Sequence, residues 1–407
     1  MQPAPKTHWP SILQIALSGL VILFLLPSAA GMFVLAAAGG LMANVDGMEV
    51  LSLVNLAWMA ILAAALQVPA LVLALLRVLN RPLPRFHWNS RAVSVILLIV
   101  WPLVLVAGYA LSRSNELAWL LLPLVQLAAV GIPLAWFVLR GSRGLQRLSA
   151  QQNWGTVSFS LVITPFVTIV AELVLGGILL VALVVWLTSN PQWMELFFRA
   201  SQRLANDQMD MQLLTRALMP LLMNPQMIAG VLVFTAGLIP LLEELLKPLA
   251  LWLLAGKKLS PAQGFAAGLV AGAMFGLYES LGMLATTTGG QDWLALVFGR
   301  TGTGLLHTVT TGLVGYGLAY AWQDETGGRF GRYSKLALSY LAAALLHGIW
   351  NLFGMLMGLI PAGEFTEYPL LVNASIIAPL ALGVLFITLL SVLILGSNLL
   401  REKQLSG

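Results

Sequence analysis

Six ionisable side chains stand in stretches that are otherwise apolar: Glu243, Glu244, Lys247, Glu279, His307 and His347. The first three occur together in IPLLEELLKPLALWLLAG, residues 239–256. Carboxylates with two imidazoles are a plausible donor set for a catalytic zinc, with three N/O ligands and an open position for water. A glutamate outside the ligand set then serves as general base. The same groups can also act without metal, a buried glutamate activating water while His and Asn donate to an oxyanion. The residues alone leave both chemistries open. Spacing adds detail. On a helix, Glu243 and Lys247 are i,i+4 and Glu244 and Lys247 are i,i+3, so the lysine reaches either carboxylate and stabilises it as the anion. The two glutamates project about 100° apart, which suits different tasks. Asn351 follows His347 by four residues and shares its face.

Several other hydrolytic chemistries are absent. There is no HExxH sequence, no serine in a Gly-x-Ser-Gly setting and no aspartate in the middle of an apolar run. The chain has no cysteine, which removes disulfides and thiolate metal sites. A glutamate–histidine site is what remains.

The elements that must position it are membrane helices. Hydrophobic residues make up 59 % of the 407 and charged residues 9 %, with a mean hydropathy of +0.89. Runs of about 20 apolar residues span a bilayer as helices, and only helices or closed barrels satisfy their backbone there. The runs are continuous rather than alternating, so the expected fold is an all-α polytopic membrane protein. Ten spans are expected, at 11–38, 50–77, 92–111, 117–139, 157–188, 227–255, 261–287, 301–322, 335–358 and 369–397. Alternate connections then hold 15 of the 21 basic residues, which places both termini in the cytoplasm. The net charge of +5 gives no reason to expect nucleic acid. The stretch after Lys6, ending in PSAAG (Pro27 to Gly31), has some features of a cleaved signal, but its apolar run continues to Ala38, so a retained first helix is expected.

A charge at the bilayer centre costs about 2.5–3.5 kcal/mol on insertion scales, so such residues face the bundle interior and usually mark function. Glu172 is the exception in the first half of the chain; it pairs with Lys247 or, preferably, with a polar partner elsewhere. Gly264, Gly268, Gly272 and Gly276 recur every four residues before Glu279 and form a face for close helix approach. Pro240 and Pro248 lack N–H groups and predict a bent, locally polar helix around the glutamates. The connection from Ser189 to Pro225 has helical apolar spacing and predicts one or two amphipathic helices on the outer surface, as a folded loop or as a lid over the site.

In order along the chain, EELLK (Glu243 to Lys247), FGLYE (Phe275 to Glu279), His307 and HGIWN (His347 to Asn351) resemble the motifs EExxK, FxxxE, a single histidine and HxxxN of the PrsW-type intramembrane metalloproteases. These are relatives of the CAAX prenyl proteases and the bacteriocin-immunity-type membrane proteases. The resemblance covers about residues 226–360. It implies proteolysis of membrane-anchored protein or peptide substrates in the bilayer of a bacterial cytoplasmic membrane, as in members linked to anti-sigma-factor cleavage. It makes Glu243 and Glu244 the catalytic pair, and Glu279, His307 and His347 the metal or transition-state ligands. Asn351 then supports the oxyanion, with Lys247 and Phe275 assisting. The expected cofactor is one Zn2+, with a metal-free site as the alternative. The second motif is followed by Ser280, where the family pattern has Asn. The expected organisation is a five-helix region at 1–188, the outer connection at 189–225, a catalytic four-helix core at 226–360 and a last span with its tail at 361–407. Two other functions use such residues: a proton- or cation-coupled transporter, and a non-catalytic binding or immunity protein on the same scaffold. The lack of an internal repeat speaks against the first, and the complete set of motif residues against the second.

Overall fold

The computed structural model describes residues 8–41, 47–84, 90–114, 118–205, 211–285, 293–323, 328–359 and 369–406. The expected span ends at residue 117 and at 286–287, and residues 206–210 of the outer connection, lie outside them. The described residues form helices joined by turns. These are α1 (Trp9–Leu41), α2 (Gly47–Val78), α3 (Ser90–Ser112), α4 (Ala118–Gly141) and α5 (Ala150–Thr188). Then come α6 (Pro191–Ala205), α7 (Met211–Leu222), α8 (Pro225–Leu232), a π-helical turn (Val233–Leu238), α9 (Ile239–Leu246) and α10 (Leu249–Trp252). The chain continues with α11 (Pro261–Ala285), α12 (Trp293–Ala321), α13 (Gly328–Leu359) and α14 (Pro369–Ser406).

Among the described residues, nine helical segments are long and apolar enough to cross a membrane. The protein is therefore an all-α polytopic membrane protein. The eighth expected span, 301–322, falls in α12, which has the length at 29 residues but is not among the nine. Its composition explains this. α12 is rich in Thr and Gly, most of it is buried, and a buried helix has no need of an apolar surface. Its threonine hydroxyls turn back onto their own helix: Thr301 bonds the Val297 carbonyl at 2.8 Å, Thr308 that of Gly304 at 2.7 Å and Thr310 that of Leu306 at 2.9 Å.

Two compact units divide the chain, and it passes between them within α5, α9, α13 and α14. The first unit comprises 1–166, 244–343 and 383–407. Its centre is the α11–α12 pair, closed by the expected glycine stripe. A Cβ at Gly264 would lie 2.3 Å from the Gly315 carbonyl oxygen, one at Gly268 2.3 Å from that of Thr311, and one at Gly272 2.0 Å from that of His307. The helices touch backbone to backbone, so the stripe sets the depth at which α12 presents His307. Around this pair Leu251, Ala267, Ala271, Val314, Leu318 and Ala343 form an apolar core. α1 and α2 pack through Ala29, Ala57 and Ala60, with Phe33 and Trp58 edge to face.

The second unit comprises 167–243 and 344–382. Its α6 and α7 are the helices that the apolar spacing predicts. The Nε1 of Trp186, near the end of α5, donates to Gln226 at the start of α8 at 2.8 Å. Trp193, Leu196 and Ala200 of α6 are buried or half-buried, while Phe197 and Phe198 are exposed and Arg199 pairs with Glu195. Glu172 is half-buried in this unit. Here too a glycine permits close approach: a Cβ on Gly348 of α13 would lie 2.2 Å from the Ala236 carbonyl oxygen.

Candidate active site

The prolines shape the helix that carries the glutamates. Ile239 donates its N–H five residues back, to Phe234, the signature of the π turn. In that pattern the Thr235 carbonyl would receive residue 240, but Pro240 has no N–H to give. Asn351 supplies the missing donor, its Nδ2 reaching the Thr235 oxygen at 3.0 Å. Downstream, α9 ends at Leu246 and α10 starts at Leu249, so Pro248 breaks the helix beside Lys247, as its missing N–H requires.

In the first unit a chain of polar groups runs through the apolar core. Glu244 and Lys247 are both fully buried, with 2.8 Å between Glu244 Oε1 and Lys247 Nζ. Thr310 Oγ1 lies 3.1 Å from the same carboxylate oxygen. Lys247 Nζ is also 2.8 Å from Nδ1 of His307, and His307 Nε2 is 2.6 Å from Glu279 Oε2. That oxygen meets Arg300 Nη2 at 3.0 Å, and Arg300 Nε donates to Ser280 Oγ at 3.1 Å. An ammonium only donates, so a protonated Lys247 makes Nδ1 an acceptor and leaves the imidazole proton on Nε2. Formal charges then alternate along the chain, and two carboxylates balance two cations around a neutral imidazole. Such balance is what buried ionic groups require. Phe275 meets the His307 ring edge to face at 5.3 Å between centroids, and Lys247 Nζ stands 5.0 Å from the Phe275 ring. The aromatic residue of the second motif thus touches both the lysine of the first and the histidine of α12.

In the second unit Glu243 is 9 % exposed and His347 2 %. Glu243 Oε2 and His347 Nε2 are 3.9 Å apart. That is beyond direct hydrogen bonding and within the span bridged by one small shared species, a water or a cation.

The structure therefore brings Glu244, Lys247, Phe275, Glu279 and His307 together in the first unit, and sets Glu243 beside His347 in the second. Lys247, able to reach either glutamate by spacing, lies on Glu244. Asn351 braces the π turn through one N–H. Two partners were not foreseen. Arg300 lies just before the span expected to start at 301, and it precedes His307 by two helical turns and so shares its face. Thr310, three residues after His307, is likewise on the face that meets Glu244. Ser280, the departure from the motif, is the acceptor for Arg300.

These features define a class: a polytopic α-helical membrane protein with buried carboxylates, imidazoles and balancing cations in its helices. A model described as PrsW family intramembrane metalloprotease matches residues 164–383, more than half of the chain, and the chain belongs to that family. No curated protein and no solved structure matches it. The match is wider than the region of the motifs, taking in much of α5, the α6–α7 connection and the start of α14. Membership supports a membrane protease function with a protein substrate. The family is described as a metalloprotease, and the buried Glu243 and His347, neighbours in the second unit, are of residue types that ligate metals.

Proposed function

We propose that this protein hydrolyses peptide bonds of membrane-anchored protein substrates in a bacterial cytoplasmic membrane, with both of its termini in the cytoplasm. The observation that carries this reading is the charge-balanced chain Glu244–Lys247–His307–Glu279–Arg300, enclosed except at Glu279, whose side chain is 40 % exposed, in a member of an intramembrane protease family. An arrangement that holds carboxylates ionised in an apolar core keeps acceptors ready for a proton of water.

The donor chemistry fits a divalent ion, zinc by its mixture of imidazole and carboxylate. Glu243 and His347, both buried in the second unit, would supply ligands to it; when bound it would lower the pKa of a coordinated water and polarise the scissile carbonyl. Glu279, a ligand in the reading from motifs, serves instead as the carboxylate that receives the His307 Nε2 proton. Glu244 is the general base. Lys247 holds it as the anion, and Thr310 orients the oxygen that Lys247 binds. Asn351 carries a second N–H besides the one on Thr235, and that donor stabilises the oxyanion.

New protein termini mapped in membranes of cells carrying the wild type, against Glu244→Gln, test the activity. Cleavage products are expected with the wild type and to fall by about 10²-fold or more in the variant. Equal products from both would remove the glutamate from the chemistry. Metal content of the purified protein separates the roles. About one zinc per chain is expected from a single catalytic site, retained in Glu244→Gln and lost in Glu243→Gln and His347→Ala. A Glu243→Gln protein that keeps zinc and loses cleavage would make Glu243 the base.

A further inference from the structure

Arg300 lies two turns before His307 on α12, with its side chain 10 % exposed. Burying a guanidinium is costly unless its donors are matched. Here consecutive residues of α11 receive it: Nε donates to Ser280 Oγ at 3.1 Å and Nη2 forms an ion pair with Glu279 Oε2 at 3.0 Å. The planar fork reaches two acceptors at once, which fixes the carboxylate as well as neutralising it. The oxygen it fixes is the one that takes the His307 Nε2 proton at 2.6 Å. On the other edge of the ring, Lys247 Nζ stands 2.8 Å from Nδ1. The imidazole is thus held from both sides, and the glutamate's orientation depends on the arginine.

We propose that Arg300 is a positioning residue that, through Glu279, holds His307 in its Nε2–H tautomer and turns the Nδ1 lone pair toward the Lys247 side. This rests on the protease reading for its catalytic consequence, since a fixed imidazole in turn fixes the Lys247 ammonium that pairs with Glu244, the proposed base. It also accounts for Ser280. The buried hydroxyl is the acceptor for Nε, and the serine and arginine act as one clamp on α11. Lysine cannot replace the clamp, because a single ammonium lacks the fork that spans Ser280 and Glu279.

Magic-angle-spinning NMR of the full chain, labelled with 15N-histidine and held in lipid vesicles, tests this without a substrate. The protein has four histidines, and the His307 signals are those lost in His307→Gln. The wild type is expected to show one tautomer, protonated at Nε2. Arg300→Gln is expected to add the second tautomer and shift the Nε2–H resonance. Ser280→Ala is expected to cause a smaller shift of the same sign, and Arg300→Lys not to restore the wild-type signal. In a cleavage assay kcat should fall by about tenfold in Arg300→Gln with KM within about twofold, the size of an outer-partner effect. A wild-type His307 protonated at Nδ1, or an unchanged spectrum in folded Arg300→Gln, overturns the proposal. If Arg300→Gln does not fold, an unchanged spectrum in Ser280→Ala overturns it equally. Failure of the protease reading would show separately, as absent cleavage by the wild type, and would leave the spectra standing.

Discussion

Lys247→Met is expected to destabilise the protein by about 3–5 kcal/mol, the cost of breaking a buried ion pair from one side. Lys247 and Glu244 have no exposed side-chain surface, and the ammonium bonds both Glu244 and His307. Methionine matches the stem but supplies neither charge nor donor. Glu244 would then be a buried anion that has lost the Lys247 ammonium, with the Thr310 hydroxyl beside it. The cost falls on the leftover charge, so removing that too should recover much of it. The double variant Glu244→Gln/Lys247→Met is therefore expected to be more stable than Lys247→Met alone, with a coupling of about 0.5–3 kcal/mol as for residues in direct contact. Thermal unfolding of the four proteins of this cycle in detergent measures it. A Lys247→Met midpoint equal to the wild type would mean that Glu244 is held neutral in the native protein, and the assignment of Glu244 as an ionised base would fall with it. Lys247→Arg is also expected to destabilise, since the fully enclosed site is fitted to a compact ammonium.

The parts of this arrangement that were legible in the sequence follow from local rules. The three ionisable residues of EELLK, the glycines every fourth residue and the order of the motifs depend only on helical period and on the cost of charge in lipid. Choosing between Glu243 and Glu244 as the partner of Lys247 was beyond those rules, because i,i+3 and i,i+4 are both good spacings. The choice depends on where α9 breaks and on the Thr310 hydroxyl that meets Glu244. Arg300 was hidden by helix length. Once α12 begins at Trp293 rather than at 301, the arginine lies inside the helix and its phase relative to His307 is fixed. Asn351 was correctly placed on the face of His347, but its partner, the Thr235 carbonyl, is exposed only by a π turn combined with a proline five residues on. The eighth span has the length of a crossing and falls short in hydropathy, because α12 buries its small and hydroxylated surface inside the first unit.

The glycine stripe gives the second large effect. Gly272→Ala is expected to be among the most damaging single-methyl changes in the chain. The added Cβ would lie 2.0 Å from the His307 carbonyl oxygen, 2.7 Å from its carbonyl carbon and 2.9 Å from Thr311 Cβ. Two of these are backbone atoms, so no side-chain rotation relieves the clash. α11 and α12 must separate, and His307 moves away from Glu279 and Lys247 as they do. Overpacking of this kind costs about 1–3 kcal/mol, and more where the backbone has to shift. The loss of cleavage should exceed what the loss of stability explains, because a displacement of about 1 Å at the chemistry can cost 10²-fold in rate. Neighbouring glycines supply an internal scale. At Gly276 a Cβ would meet Gly304 Cα at 3.3 Å, and at Gly282 nothing lies within 4 Å. Gly276→Ala should therefore be mildly destabilising, and Gly282→Ala within about 0.5 kcal/mol of the wild type. Unfolding midpoints and cleavage rates of the three variants, measured side by side, should rank in that order. If Gly272→Ala behaved like Gly282→Ala, α11 and α12 would not be in backbone contact, and the depth at which α12 presents His307 would have to be set by some other pair of helices.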